Sequence, residues 1–372
     1  MGIIINDFGE IIKEKQIIGG ICLKRLLWLL LSVTILSLST CSMPSDDITK
    51  MSSMEMIQYN TKGVKKAAIT VGIVQNGQMT YKVYGENGRE LSQREHIYEI
   101  GSITKTFTAI LISKAISEGK VSLNDSINTF LDLPSINYYP IIRRLLTHTS
   151  GYKSTYYEGY VSTNFLNSGN PFYGITEKSL IARIKTIGLD NRDYSYEYSN
   201  FGMAVLGLTL EKLFNKDYTH LMNDYIKNEL GLNNTIISNG NGDLSNYWIW
   251  DCGNPYIAAG AISSNVTDMM RYAQLQMDEN PSYLSISHNV LAEVTTPPEY
   301  VELGIRIDAV GASWLIDTAN NIIWHNGGTS NSSSYLGFDK TNGVAVVVLS
   351  NMAPGFRINV TLIGTTLLKE LK

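Results

Sequence analysis

The 372-residue chain has three cysteines, Cys22, Cys41 and Cys252, too few to staple a domain of this size with a disulfide framework. Its five histidines, His96, His148, His220, His288 and His325, lie far apart and show no metal-ligand spacing, so no metal is expected. Basic charge is also scarce: 30 Lys and Arg against 34 Asp and Glu leave a formal charge of −4. No basic stripe appears, which argues against a nucleic-acid partner and favours small-molecule chemistry. What is present is a globular composition, 44% apolar and 17% charged, long enough to bury one large core or two coupled ones.

The first forty residues differ from the rest. Lys24 and Arg25 precede an uncharged 13-residue run, Leu26 to Leu38. That length suits a signal-peptide apolar region and falls short of the roughly 20 residues of a membrane span. Leu38-Ser-Thr-Cys41 resembles the lipobox of bacterial lipoprotein signals, although Thr40 departs from the usual small residue. Residues 1–40 are therefore read as a targeting segment and 41–55 as a linker. Cys41 is the lipidation candidate, with simple cleavage or an uncleaved anchor as alternatives. The implied address is exported and membrane-attached, facing the extracytoplasmic side. Cys252, alone in such a domain, is expected to be a buried structural thiol.

From residue 56 onward, "AAITVGIVQNGQMTYKVYG" reads as two strands joined at Asn76-Gly77. Helical periodicity follows at Thr106 to Ile116, Phe201 to Leu213 and Val266 to Met277. The last eighty residues contain "GASWLID", "NIIWHN", "SSYLGFD" and "GVAVVVLSN", short runs typical of antiparallel strands, before a closing helix at Thr361 to Leu371. The expected fold is α/β (α+β). Both chain ends, about 56–120 and 299–372, form an antiparallel sheet flanked by helices, and a mainly helical part, about 121–298, is inserted between them.

Ser-x-x-Lys occurs three times, at Ser102/Lys105, Ser117/Lys120 and Ser150/Lys153, so spacing alone selects none of them. The second falls at a helix end with Gly119 between its side chains, and the third lies in a Gly-containing turn. Only Ser102/Lys105 opens a helix, where i and i+3 side chains share a face and free N–H groups can meet an oxyanion. The bland alternative is a serine N-cap beside a surface lysine. Two further elements weigh against it: Tyr198-Ser-Asn200, the chain's only Tyr-x-Asn, and His325-Asn-Gly-Gly328 at a strand end, where an edge could pair with an extended substrate.

In this order, the three elements resemble those of the serine β-lactamase and penicillin-binding protein superfamily, and most of all its class C β-lactamase and DD-peptidase/esterase branch. "YEIGSITKTFTA", "LLTHTSGY" (Leu145 to Tyr152) and "AAGAISSNVTDMMRY" (Ala258 to Tyr272) extend the resemblance over about 56–372. It implies a hydrolase with Ser102 as nucleophile, Lys105 and Tyr198 as its proton-transfer partners, and no cofactor. Asn200 would orient the substrate amide, His325 and Gly327 would line the substrate strand, and the N–H groups of Ser102 and Gly328 would hold the oxyanion. His148 and Asp268, within the supporting segments, are read as structural.

The residue types suit acyl transfer. A serine hydroxyl needs an adjacent base, and a free tyrosine is only about 0.1% ionised at pH 7. A Lys105 ammonium beside Tyr198 would favour the phenolate; a shift of about three units requires roughly 4 kcal/mol. Whether Tyr198, Lys105 or the coupled pair takes the proton is left open by the sequence. Many penicillin-recognising relatives carry lysine where His325 stands. An unperturbed histidine is mostly neutral at pH 7 and would gain charge as pH falls toward 6. D-amino-acid-containing peptides, such as peptidoglycan stems, are therefore the expected substrates. A β-lactamase or an esterase is the enzymatic alternative, and a slow-turnover penicillin-binding sensor or cell-wall adaptor the non-enzymatic one.

Overall fold

A computed structural model describes residues 45–157 and 169–372. The targeting segment and Cys41 lie outside the described residues. Among the described ones, no helix is long and apolar enough to cross a membrane.

Strands β1 (Ile69–Gln75) and β2 (Gln78–Tyr84) form the expected hairpin around Asn76 and Gly77, both at positive φ. The short strands β3 (Glu90–Leu91), β4 (Tyr98–Glu99), β5 (Ile236–Ile237), β6 (Ile262–Ser264), β7 (Ala292–Glu293), β8 (Ala309–Val310) and β9 (Leu315–Asp317) follow. The long β10 (Ile322–Gly328), β11 (Ser333–Asp339) and β12 (Val344–Ser350) close the series. The large sheet runs β3-β2-β1-β12-β11-β10-β9-β8-β7, with antiparallel pairing throughout. Pairing of β1 with β12, Ile69 opposite Ser350, joins the two ends of the domain as expected.

Six of the seven residues of β12 are apolar because the strand is covered on both faces. Side chains alternate across a strand, and here they divide between two cores. Val344, Val346 and Val348 pack with Met56 and Ile57 of helix α1 (Ser53–Thr61) and with Leu362 and Ile363 of the closing helix (Val360–Glu370). Ala345, Val347 and Leu349 face the other core, built around α2 (Thr104–Ser117), α3 (Asn200–Phe214) and α4 (Val266–Asp278). Each fully buried valine contributes about 1.5–3 kcal/mol of burial, which holds the sheet as the middle layer of a sandwich.

The inserted part carries the expected helices α3 and α4 but is not purely helical. Its β6 pairs with β4 and β5 in a second, three-stranded sheet. That sheet anchors the strand that leads into the Ser102 turn. The stretch read as a linker holds a helical turn, Ser45–Ile48, and the start of α1; Ser53 N–H and its hydroxyl both donate to Glu370.

Cys252 is a correction. It sits exposed at the corner of a turn, with Asn254 N–H donating to the Asp251 carbonyl, so its thiol faces solvent rather than a core.

Candidate active site

Ser102 lies in a short 3-10 turn, Gly101–Ile103, that runs directly into α2. The N-cap of α2 makes no side-chain hydrogen bond, so the Ser102 hydroxyl is not consumed as a cap. Lys105 is fully buried, and its Nζ stands 2.9 Å from Ser102 Oγ and 2.6 Å from the Ala259 carbonyl oxygen, to which it donates. Both observations run against a capping serine with a surface lysine. The other two pairs behave differently. Ser117 Oγ donates to the Lys114 carbonyl while Lys120 pairs with Glu118. Ser150 Oγ accepts from Tyr152 N–H, and Lys153 is exposed.

The turn reaches its place because β10 can press against it. A Cβ on Gly327 would lie 1.9 Å from the Ile100 carbonyl oxygen and 2.8 Å from Ser102 N, and one on Gly101 would lie 2.4 Å from Gly328 N. Only glycine permits this approach, and Gly101 also needs its φ of +49°. Ser334 Oγ donates to the Ile100 carbonyl at 2.8 Å and ties the turn to β11.

Tyr198 enters from the residues preceding α3. Ser199 caps that helix by accepting from Gly202 N–H at 2.8 Å, and its own hydroxyl donates to the Lys153 carbonyl. This sets the Tyr198 ring 4.9 Å from Lys105 Nζ. Asn200 sits beside it with Nδ2 donating to Ser154 Oγ at 3.3 Å. His325, on β10, is fully buried, its ring 6.3 Å from that of Tyr198 and its Nδ1 2.5 Å from the Asn326 carbonyl oxygen. Ser102, Lys105, Tyr198, His325, Gly327 and Gly328 thus converge, whereas the one side-chain bond of Asn200 goes to Ser154.

Burial disfavours charge on the titratable groups of the pocket. Burial pushes the Lys105 ammonium well below the usual lysine range, toward the free amine. Burial also pushes the Tyr198 phenol well above its ordinary value, and the neighbouring Ser102 hydroxyl pulls down without offsetting it. Burial thus works against both charges of a phenolate–ammonium pair, and the direction of each shift favours the neutral amine beside the neutral phenol. The expectation for His325 is corrected. Burial above all holds its pKa at about 3, so it stays neutral from pH 6 to 8. Tyr198 Oη, His325 Nε2 and His148 Nε2 make no well-formed hydrogen bond among the described residues.

Three features were not singled out as site residues. His148 stacks on Tyr198, ring centroids 4.6 Å apart. Glu99, buried three residues before Ser102, accepts from Thr329 Oγ1 and Trp248 N–H, both at 2.7 Å; burial raises its pKa to about 7. An open cavity of about 1170 Å³, with Tyr194, Tyr196, Tyr198 and Tyr300 in its wall, adjoins the pocket. The only sequence signal for His148 and Glu99 was their presence in recurring segments. Asp268, read as structural, accepts from Asn234 N–H and Thr235 Oγ1 and braces a loop.

Comparison with known proteins bears on what this arrangement belongs to. The Beta-lactamase family model matches residues 56–362. Among curated proteins, Protein flp of Staphylococcus aureus (strain MW2) is 23% identical over 281 residues, covering 68% of this chain and 53% of that protein. The chain thus spans about half the length of the curated relatives it matches. Among solved structures, the octameric penicillin-binding protein homologue from Pyrococcus abyssi superposes with a TM-score of 0.68 at 23% identity, covering 88% of this chain and 77% of that one. The D-stereospecific amidohydrolase from Streptomyces sp. gives 0.64 at 22%, covering 84% and 96%.

Proposed function

The chain belongs to the β-lactamase family, and from that premise we propose that it is a serine hydrolase that forms an acyl-enzyme at Ser102 and cleaves amide or ester bonds, chiefly in D-amino-acid-containing peptides. The observation that carries this reading is the 2.9 Å approach of Lys105 Nζ to Ser102 Oγ in a pocket that favours the neutral amine. A free amine held by the Ala259 carbonyl has a lone pair available for the serine proton.

Attack by Ser102 Oγ on the substrate carbonyl passes the hydroxyl proton to Lys105. The tetrahedral oxyanion is held by the N–H groups of Ser102 and Gly328. Collapse breaks the bond to the leaving group, which takes its proton from the Tyr198 hydroxyl, and Tyr198 recovers one from Lys105. Water then attacks the acyl-enzyme by the reverse relay, releasing the acid and restoring the Ser102 hydroxyl. Asn200 orients the substrate amide, and Gly327 keeps the substrate strand close to the nucleophile. The D-amino-acid preference is supported by the name of the Streptomyces structural neighbour. The cavity beside Tyr198 offers room for a bulky group on the leaving side.

Export and lipid attachment at Cys41 belong to the same proposal and rest on the segment Lys24 to Cys41. Mass spectrometry of the mature N-terminus would show a lipidated Cys41, and cleavage elsewhere with an unmodified Cys41 would end the lipoprotein claim. For substrate class, one purified sample is assayed with D-Ala-D-Ala peptides, D-amino-acid amides, short esters and a chromogenic cephalosporin. Repeated turnover of the D-peptides or amides is the expected result. A single stoichiometric burst without turnover would replace the hydrolase with a covalent sensor, and preferential cephalosporin turnover would replace the peptide substrate with a β-lactam.

A further inference from the structure

We propose that His148 is a positioning residue for Tyr198, fixing the proton donor that serves the leaving group; this rests on the role given to Tyr198 above. His148 grips the backbone on both sides of that tyrosine. Glu197 N–H donates to the His148 carbonyl at 2.9 Å, and Ser199 N–H donates to His148 Nδ1 at 3.2 Å. Between those two bonds lies Tyr198, with its ring against the imidazole at 4.6 Å and an interplanar angle of 30°. On the other side, the Tyr196 ring meets the imidazole edge-on at 5.9 Å and 89°. The adjacent Thr149 carbonyl accepts from Tyr194 N–H at 2.9 Å, so the strand-like segment 194–199 is held along its length.

Two details argue that this grip is specific. His148 is 1% exposed and adopts φ +57°, a left-handed conformation uncommon for residues other than glycine and enriched for Asn, Asp and His. Because Nδ1 accepts from Ser199 N–H, the ring proton resides on Nε2, and the tautomer is set by the backbone it holds. Burial keeps the imidazole neutral, so Nδ1 remains an acceptor. Among the described residues the Tyr198 hydroxyl has only the nearby Ser102 hydroxyl beside it and no well-formed hydrogen bond, so the stacking and backbone contacts are what fix the ring.

The chemistry supplies a readout that a merely structural role would not move. A p-nitroanilide must receive a proton as it leaves, whereas a p-nitrophenolate leaves without one at neutral pH. A misaimed Tyr198 should therefore slow an anilide far more than the ester of the same acyl group. A general folding defect should reduce both equally, through the fraction of competent sites. The test uses parent, Tyr198→Phe, His148→Leu, His148→Asn and the double variant His148→Leu/Tyr198→Phe. All are assayed on a matched N-acetyl-D-alanyl p-nitroanilide and p-nitrophenyl ester, with kcat/KM, which reports acylation and not the deacylation step the two substrates share, expressed per Ser102 labelled by a fluorophosphonate.

His148→Leu is expected to lower anilide kcat/KM by about 30-fold or more and ester kcat/KM by less than about threefold, since a misplaced catalytic group costs on the order of 10²-fold. His148→Asn tolerates the backbone and keeps an acceptor at the δ1 position but lacks the ring that stacks on Tyr198, so it should recover only part of the loss and leave the anilide-to-ester ratio several-fold below that of the parent. The double variant should be no slower on anilide than Tyr198→Phe alone, because both changes disable one donor. Equal losses on anilide and ester, or losses that multiply in the double variant, would overturn the proposal. Should the leucine variant fail to fold, the anilide-to-ester ratio of His148→Asn decides alone, and an unchanged ratio counts against the proposal. A parent protein that labels at another residue would overturn the nucleophile assignment itself, and the positioning role with it.

Discussion

Two buried polar regions flank the same short turn, and they are built on opposite plans. At Glu99 both carboxylate oxygens have donors, Thr329 Oγ1 and Trp248 N–H, and the bonds extend through Trp248 Nε1 to Ser330 Oγ and on to the Gly169 carbonyl. Three residues later, around Ser102, the hydroxyl of Tyr198 and the Nε2 atoms of His148 and His325 lack a well-formed partner among the described residues. Leaving a buried polar group unsatisfied costs about 1–3 kcal/mol, which a fold tolerates where a bound molecule will complete the network. The Glu99 region therefore carries architecture and the Ser102 region carries chemistry, although burial drives the titratable groups of both toward neutrality.

The sharpest way to break this comparison is at the nucleophile. Ser102→Ala should reduce kcat roughly 10³-fold or more while the thermal transition stays within a few degrees, because the hydroxyl caps no helix. Lys105→Met should cost about 10²- to 10⁴-fold in kcat with a change in stability within about 1 kcal/mol. In that variant, removing a desolvated amine offsets the bond lost to the Ala259 carbonyl.

Glu99→Gln should give the reverse pattern. The carboxyl pKa is raised from 4.5 to about 7, so its neutral form is the one folding favours. The associated stability is fully present below pH 4.5 and is lost as pH rises through about 7, amounting to roughly 3 kcal/mol by pH 9. Denaturant titrations at pH 5 and 9 should show that difference shrinking in Glu99→Gln, with kcat at pH 7 changed less than about threefold. A large activity loss with an unaltered pH dependence would erase the distinction between the two regions.

The smallest expected effect concerns His325. With its pKa held at about 3, the ratio of kcat/KM for carboxylate-bearing and neutral substrates should vary by less than about twofold from pH 6 to 8. A ratio that climbs as pH falls toward 6 would show that His325 charges in the liganded site.

These contrasts also explain what could be read from sequence. The three motifs were legible because each depends on local geometry: Ser102 and Lys105 share a helix face, Tyr198 precedes a helix, and Gly327 and Gly328 let a strand approach a turn. The sheet was legible for a similar reason, since the apolar run of β12 and the Asn76-Gly77 turn signal strands directly. What was hidden is tertiary. Nothing near His148 in sequence indicates that it grips residues fifty positions away, and nothing near Cys252 distinguishes a turn corner from a core. The protonation of the Lys105 and Tyr198 pair stayed open, and the expected charging of His325 toward pH 6 is lost, for the same reason: proximity follows from motif order, but depth of burial emerges only when the layers close over the site.

The account's central claim is that a neutral Lys105 activates Ser102, and the rate at which a fluorophosphonate modifies Ser102 as a function of pH tests it most directly. With peptide mapping to locate the adduct, labelling should occur at Ser102 alone. Its rate should rise as Lys105 loses its proton and level off at a pH below the ordinary lysine value of about 10.4; the Lys105→Met rate should be low and lack this titration. An adduct on another serine, or a parent rate that keeps climbing to pH 10 and is matched by Lys105→Met, would contradict it.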